Sequence, residues 1–433
     1  MFFEKRFLRS MNQMRSQVSV PLRIELWNGR SFDFCSDPSV TVSIPSAAAL
    51  RYFLTPSLNT LGEAFVEGHI GVKGSPKDVF EVAEGLARSM SSRLPGALGW
   101  LASHSRDRDR DRDRAAVEYH YDVSNEFYAL FLDPEMVYSC AYFRDPNDTL
   151  EVAQVQKLDH ILRKLRLAPG QRFLDIGCGW GALIRRAAQH YGAHATGITL
   201  SRMQFEYACE QIQRSGLQDR CQVLLCDYRD LDEVEAYDKI ASVGMFEHVG
   251  LGHLQDYFRI IQRLLARDGL VLNHGITSSD VQSRWIGMGA GEFIDRYVFP
   301  EGELPHVSLT LKEMCSAGLE VLDVESLRRH YARTCQLWSN KLEAHTAHAI
   351  RIVGERRHRI WQIYLAGCAH GFANGWMNLY QILCSKAENT ALAQHPLTRD
   401  YITTGALSQQ GRLDPAGPVF GAAAAVAKQR HAC

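Results

Sequence analysis

The run Leu174-Asp175-Ile176-Gly177-Cys178-Gly179-Trp180-Gly181 constrains the fold of this chain more than any other stretch. It reads as a short apolar strand with an acidic residue, then a glycine-rich turn that opens a helix. Glycines at alternate positions let the backbone pass close to a bulky ligand, which a β-carbon would obstruct. A strand pattern over 172–176 precedes the turn and a helical pattern over 182–191 follows it. A dinucleotide loop carries its third glycine one position later and an acidic residue about 20 residues on. The spacing here is Gly-x-Gly-x-Gly, which disfavours a nicotinamide cofactor.

Strand patterns recur at Arg172–Ile176, His194–Thr199, Cys221–Cys226, Tyr237–Val243, Leu270–His274, Leu319–Glu325 and about Met377–Leu383. The first five alternate with helical patterns, as a doubly wound, mostly parallel α/β sheet requires. Upstream, residues 1–104 form a smaller unit of α+β character. Leu22-Arg23-Ile24-Glu25-Leu26-Trp27 alternates as a strand, Asn28-Gly29 reads as a turn, and helical patterns follow near Ala47–Leu54 and Pro76–Arg88. Between the two units, Arg106 to Arg114 alternates arginine with aspartate and has no apolar face, so 105–115 reads as a solvated linker. The catalytic unit is expected at 116–390, and 391–433 reads as a tail without order.

With 433 residues the chain is long enough for two cores, and a formal net charge of −1 argues against a dedicated nucleic-acid binder. Eleven cysteines without a Cys-x-x-Cys pair suggest reduced thiols and a cytoplasmic setting. No stretch is long and apolar enough to span a bilayer. The basic and apolar start, Met1 to Arg9, suits either an anionic membrane surface or packing on its own domain.

In open α/β sheets ligands bind beyond the carboxyl ends of the strands. Four loops meet there: the glycine turn, the loop through Thr199, Leu200 and Gln204, the loop at Asp227-Tyr228, and the loop at Met245-Phe246-Glu247-His248. The second loop lacks a carboxylate for ribose hydroxyls and offers Thr199 and Gln204 instead. Asp227 suits either an adenine amino group or a helix N-cap.

The glycine turn resembles the cofactor loop of class I S-adenosylmethionine-dependent methyltransferases. Further motifs narrow the resemblance. His120-Tyr121-Asp122-Val123-Ser124-Asn125-Glu126-Phe127-Tyr128, Tyr138-Ser139-Cys140-Ala141-Tyr142-Phe143, Gly244 to Gly250, Phe293 to Pro300 and His330-Tyr331-Ala332-Arg333-Thr334 resemble the cyclopropane-fatty-acyl-phospholipid synthase family. Leu61 to Ile70 is similar to the accessory N-terminal region of its bacterial phospholipid-acting branch. The resemblance implies a seven-stranded sheet and cofactor contacts at Tyr138, Ser139, Asp175, Gly177, Gly179, Thr199, Leu200, Gln204, Asp227 and Tyr228.

It further implies methylation of a cis double bond in an unsaturated membrane phospholipid, loss of a proton from the added methyl, and ring closure. Bicarbonate as proton acceptor falls on Cys140, Glu247, His274, the backbone of Ile276, and Tyr331. An enzyme of this kind is expected at the inner membrane surface, peripherally bound and as a homodimer. Relatives that methylate olefins without ring closure, or N-methylate amines, share the Glu and His framework and remain alternatives. Tyr138, Tyr142, Phe143, Phe246, Tyr297 and Phe299 cluster around the motifs, as a dry π-rich pocket or as core aromatics. Arg163-Lys164-Leu165-Arg166 and Arg328-Arg329 suit anionic head groups or a solvated helix face.

Overall fold

Alternation at the start of the chain buries every second side chain: strand β1 (Leu22–Leu26) turns Leu22, Ile24 and Leu26 into a core. The computed structural model describes residues 18–53, 57–91, 124–283, 290–298, 302–388, 395–403 and 431–432, and Phe7, Arg9, Met11, Asn12, Arg15 and Ser16. The Arg/Asp linker and the His120–Val123 part of the first motif lie outside these residues. Strand β2 (Ser31–Asp33) returns antiparallel to β1 through the Asn28-Gly29 turn, where Gly29 has φ +80°. Strand β3 (Val40–Ile44) runs parallel to β1, and β4 (Gly71–Lys73) closes the order β2-β1-β3-β4. Phe7 is buried in this core, edge-on to Phe53 at 5.9 Å, as the self-packed reading of the N-terminal segment expects.

The second sheet is built around β5 (Arg172–Ile176), buried from its second residue onward. Strands β6 (His194–Thr199) and β8 (Tyr237–Val243) flank it in parallel, and β7 (Cys221–Leu225) and β9 (Leu265–Ser278) extend these pairs in parallel. Strand β10 (Leu319–Ser326) and strand β11 (Met377–Lys386) complete the seven expected strands, with β11 antiparallel to both β9 and β10. The order is β10-β11-β9-β8-β5-β6-β7-β12, where β12 is the edge pair His431–Ala432. The direction of winding reverses between β5 and β8, which opens a crevice at their carboxyl ends. Helices cover both faces: Leu183, Ile184, Ala187 and Ala188 pack on one side, and Tyr257, Phe258, Ile261 and Leu264 on the other.

Within 391–433 the described residues form the helix Asp400–Thr403 and a two-residue edge strand, β12 (His431–Ala432), paired with β7. Among the described residues nine cysteines are free thiols, but Cys209 is disulfide-bonded, so the reduced-thiol expectation fails there.

The two units are bolted together. Arg356 donates from Nε and Nη2 to the Glu67 carboxylate at 3.1 and 2.8 Å, and Arg296 Nη1 donates to Glu63 at 2.9 Å. Arg359 Nη1 donates to the Phe65 carbonyl at 3.0 Å, and His370 meets Glu84 at 2.8 Å in a buried pair.

Candidate active site

The carboxyl ends of β5 to β8 open onto a cavity of about 150 Å³. Gly177, Gly179 and Gly181 have φ of +79°, +54° and +82°, a left-handed conformation that L side chains rarely adopt. The Gly177 and Cys178 N–H groups donate to the Ile198 carbonyl at 3.0 and 2.9 Å, which fastens the turn to β6. Tyr138, Ser139, Asp175, Gly177, Gly179, Thr199, Leu200, Gln204, Asp227 and Tyr228 all line the cavity. Thr199 Oγ1 donates to Gln204 Oε1 at 2.9 Å, so the two ribose-loop side chains hold each other. Asp227 lines the cavity and also forms the N-cap that its type allows. It accepts from the Arg229 N–H and Nε at 2.9 Å each and from Nη2 at 2.6 Å.

Asp175 is buried with Oδ1 unpartnered, and burial raises its carboxyl to about 7 despite the opposing pull of Lys157. Lys157, which sequence reasoning missed, also lines the cavity and donates from Nζ to Ser139 Oγ at 2.9 Å. Burial lowers its amine to about 8. The signal was present in the helix Leu150–Lys164: Leu150, Ala153, Gln154, Lys157, Leu158 and Ile161 form one buried stripe, and a lysine there requires a partner.

Of the five aromatics singled out by motif that lie among the described residues, Tyr138 alone lines this cavity. Tyr142 stacks between His160 (4.0 Å) and His330 (4.8 Å), and Phe143 lies beyond His330 at 6.2 Å. Phe246 packs beneath β9, Tyr297 faces the N-terminal unit, and Phe299 lies outside the described residues. The ring wall comes from elsewhere. Tyr138 packs on Trp338 at 5.2 Å, Tyr128 at 5.4 Å and Trp361 at 6.2 Å, while Tyr128 meets Trp180 at 5.0 Å.

A second cluster of polar groups lies at the end of β9. His274 and Ile276 share one face of the strand, opposite Gln381 and Leu379 of β11. Gln381 Nε2 donates to His274 Nδ1 at 3.1 Å, which places the ring proton on Nε2. That Nε2 is buried without a partner, and burial holds the imidazole far below its ordinary pKa, hence neutral. Between them Gly275 leaves room for Phe246: a β-carbon there would lie 1.9 Å from Phe246 Cε1. This close approach sets Glu247 over β9, where Oε1 accepts from the Ile276 N–H at 2.7 Å. Glu247 Oε2 is left buried and unpartnered, and burial raises the carboxyl to about 7. The resemblance treats Glu247 and the Ile276 N–H as separate anion ligands. Here they are bonded to each other, so the N–H is already engaged.

The helix Arg328–Ala344 pins the 138–143 segment. The Ala141 N–H donates to Thr334 Oγ1 and the Phe143 N–H to His330 Nδ1, each at 3.1 Å. Tyr331, between these anchors, packs tilted against Phe372 at 4.5 Å and lies in the same cluster as Cys140 and Ile276. Burial raises both the Tyr331 phenol and the Cys140 thiol, so neither ionises near neutrality and Cys140 is no thiolate nucleophile. The Cys140 thiol instead faces the Leu327 carbonyl at 3.8 Å and that of Ala141 at 3.3 Å.

Three members of the basic clusters are tied within the fold, while Arg166 and Arg329 are exposed. Lys164 is buried against Glu325 (2.6 Å) and Asp323 (3.2 Å), and Arg163 pairs with Asp159 at 3.8 Å. Arg328 Nη1 donates to the Phe372 and Ala373 carbonyls at 2.6 and 3.0 Å. No group of metal-ligating side chains occurs among the described residues, and none of their helices is long and apolar enough to cross a membrane.

The chain is similar to known proteins in sequence and in fold. Residues 108–382 match the family described as mycolic acid cyclopropane synthetase, and residues 10–93 match a domain of unknown function. A Pseudomonas putida protein named probable fatty acid methyltransferase is 46% identical over 383 residues, covering 88% of this chain and 96% of its own. Cyclopropane mycolic acid synthase 1 of Mycobacterium tuberculosis is 38% identical over 280 residues, covering 63% of this chain and 97% of its own. The solved structure of the cyclopropane synthase MmaA2 from Mycobacterium tuberculosis superposes with a TM-score of 0.60 at 36% identity, covering 63% of this chain and 98% of that one. Mycolic acid cyclopropane synthase CmaA1, complexed with SAH and CTAB, gives 0.59 at 37% identity, with the same coverage of each chain.

Proposed function

The chain belongs to the cyclopropane synthase family of S-adenosylmethionine-dependent methyltransferases, and from that premise we propose that it converts a cis double bond in an unsaturated phospholipid acyl chain into a cyclopropane ring at the membrane surface. The observation that carries this reading is the pair of orphaned polar atoms, Glu247 Oε2 and His274 Nε2. Buried polar groups are nearly always paired. Near the end of β9 Asn273 Oδ1, Thr277 Oγ1 and Gln381 Oε1 are also buried without a partner; Glu247 Oε2 and His274 Nε2 are the two that belong to residues the resemblance assigns, and together they fit a small polar ligand.

S-adenosylmethionine supplies an electrophilic methyl group, and bicarbonate, when bound, supplies a base. The residues that would hold bicarbonate are Glu247, His274 and Tyr331, with Cys140 beside them. His274 offers an N–H and Tyr331 a phenol O–H, both to an anion. Glu247, near 7, holds or releases a proton at neutral pH at little cost. The ring wall of Tyr138, Trp338 and Trp361 excludes water and offers π-faces to positive charge on the methylated chain. Gln381 fixes the His274 tautomer, and Thr334 and His330 hold the 138–143 backbone in place.

One reading competes. The Pseudomonas putida relative that spans nearly the whole chain is named a fatty acid methyltransferase. Its outcome would be the same methyl transfer without ring closure. The two differ in which carbon loses the proton. Incubating the full chain with phospholipid vesicles and isotopically labelled S-adenosylmethionine tests this by mass spectrometry. Cyclopropanation gives an acyl chain one labelled CH2 heavier, without an alkene. A labelled methyl-branched alkene sinks the ring-forming reading, and unchanged transfer by Glu247→Ala removes the proposed anion site.

A further inference from the structure

The 138–143 segment forms neither helix nor strand, so its backbone groups must find partners elsewhere. Two helices supply them. From the helix Leu150–Lys164, Gln154 Nε2 donates to the Val137 and Ser139 carbonyls at 3.2 and 2.9 Å, and the Ala153 carbonyl accepts from the Tyr142 N–H at 3.0 Å. From the helix Arg328–Ala344, Thr334 Oγ1 and His330 Nδ1 accept from the Ala141 and Phe143 N–H groups, each at 3.1 Å. Consecutive N–H groups are thus given to a hydroxyl, a carbonyl and an imidazole. Of these partners only the imidazole turns from acceptor to donor when it takes a proton. Accepting at Nδ1, it carries its single proton on Nε2. A second proton occupies Nδ1 and leaves the Phe143 N–H without an acceptor.

The surroundings of His330 fix its ring. Tyr142 is sandwiched between His330 and His160, with interplanar angles of 9° and 18°. Arg333 lies over the Phe143 ring at 4.4 Å and closes the column. The charged and titratable groups that face His330 are Glu325 of β10, His160 of the helix Leu150–Lys164, Tyr142 of the segment, and Arg329 and Arg333 of its own helix. Burial lowers the imidazole from its ordinary 6.5, and His160 and the two arginines add to this against the pull of Glu325. The ring is therefore neutral at pH 7, as its bond to Phe143 requires. Glu325 and the π-face of Tyr142 both favour the cation, which keeps the titration within reach of mild acid.

We infer that His330 is a positioning residue for the methyl-donor cavity: its neutral imidazole latches the segment that carries Tyr138 and Ser139, and a proton on Nδ1 opens the latch, so that cofactor affinity falls in acid. Tyr138 and Ser139 line the cavity, and the Phe143 N–H is the last of the three tied donors of their segment. The other titratable tie of the segment works at the opposite end of the scale. Lys157 Nζ holds Ser139 Oγ and stays charged below about 8. A ligand that needs the segment in place pays to re-form the latch once His330 is protonated. The inference rests on the cofactor reading of the cavity and not on whether the methylated chain closes to a ring.

Calorimetric titration of the full chain with SAH between about pH 5.5 and 7.5 tests this with two variants. His330→Asn offers Oδ1 to the Phe143 N–H and does not titrate in this range. His330→Phe keeps a ring against Tyr142 and offers no acceptor. At pH 7.5 wild type and His330→Asn should bind SAH alike. Toward pH 5.5 wild type should weaken about fivefold to tenfold relative to His330→Asn, roughly the worth of one hydrogen bond, and approach His330→Phe, which is weak throughout. Asp175, also raised into this range, titrates in all three proteins and cancels in the ratios. If one variant does not fold, the other decides, because wild type must depart from the first and converge on the second as pH falls. A ratio of wild type to His330→Asn that stays constant across the range overturns the inference, as does a His330→Phe protein that binds SAH like wild type at pH 7.5. Wild type that binds no SAH at any pH instead removes the cofactor reading, and the latch with it.

Discussion

The Glu247 carboxylate and the Ile276 N–H are joined at 2.7 Å, with one oxygen locked to the strand and the other buried without a partner. The bond orients the side chain, and the free oxygen is the one available for chemistry. Glu247→Gln preserves an acceptor for the Ile276 N–H but removes the titrating group. We expect methyl transfer to fall about 10²- to 10⁴-fold, the usual worth of a positioned acid or base, with SAH affinity unchanged. Turnover of labelled cofactor and calorimetric SAH titration measure the two, and a wild-type rate would take Glu247 out of the mechanism.

The same residue should leave a mark on stability. Folding raises its carboxyl from the ordinary 4.5 to about 7, because burial penalises the charge. A raised pKa contributes stability that is fully present below pH 4.5 and is lost as pH rises through about 7. Glu247→Gln lacks that titration. Relative to the variant, wild type should lose on the order of 3–4 kcal/mol between the two limits, since each pKa unit is worth about 1.4 kcal/mol. Urea denaturation of both proteins at a series of pH values checks it; parallel curves contradict the buried, raised carboxyl.

Gly275 is the residue that makes the Glu247 geometry possible. Gly275→Ala would put a methyl 1.9 Å from Phe246 Cε1, in the middle of a buried strand. The ring cannot move without displacing Glu247. We expect a loss of about 3 kcal/mol or more, at or beyond the upper end of overpacking costs. Gly275→Ala/Phe246→Leu should recover part of the stability and less of the activity. Thermal melts of the two proteins and the double variant test the coupling, and strict additivity would show that the two sites do not interact.

The sheet was legible because its strands are apolar runs bounded by turns, and six of the seven expected strands match the structure within about a residue or three. Strand β9 is the exception: it begins at Leu265 and runs to Ser278, beyond the expected Leu270–His274 at both ends. Its extension is stabilised by pairing with β11, a long-range partner that no local pattern shows. The meeting of the Gly177, Thr199, Asp227 and Met245 loops at one cavity was legible because loops at strand ends must converge at the winding switch. The aromatic wall was not, because Trp338 and Trp361 sit on helices far along the chain, and only packing brings them to Tyr138. Lys164 and Arg328 look like surface charges in sequence, whereas the fold buries the first and bonds the second to helix-end carbonyls.

Cys140 lies in the packed cluster that holds Tyr331 and Ile276 of the proposed anion site, and it is placed there as a packing group. Burial raises its thiol, so native protein should resist iodoacetamide at that position at pH 8, whereas the exposed Cys315 reacts. Peptide mapping after a short pulse measures both. Cys140→Ser should retain much of the activity, while prompt alkylation of Cys140 in folded protein would reopen a covalent role.

Lys157 ties the methyl-donor cavity to the neighbouring motif through Ser139 Oγ, and its burial makes the tie pH-dependent. Folding lowers its amine from 10.5 to about 8 because the charged form is desolvated. A depressed pKa contributes stability that is present above pH 10.5 and is lost as pH falls through about 8. Lys157→Met has similar length and no titration, so the deficit of the variant relative to wild type should widen by on the order of 3–4 kcal/mol as pH rises across that window. Removing the amine also frees Ser139 and leaves buried Asp175 without a nearby cation, which pushes its carboxyl further up from about 7. We therefore expect SAH affinity to fall about tenfold, the equivalent of one lost charge-assisted hydrogen bond. Chemical denaturation from pH 7 to 10.5 and calorimetry at pH 7 measure the two effects separately. A deficit that does not change with pH would mean that Lys157 is solvated rather than buried.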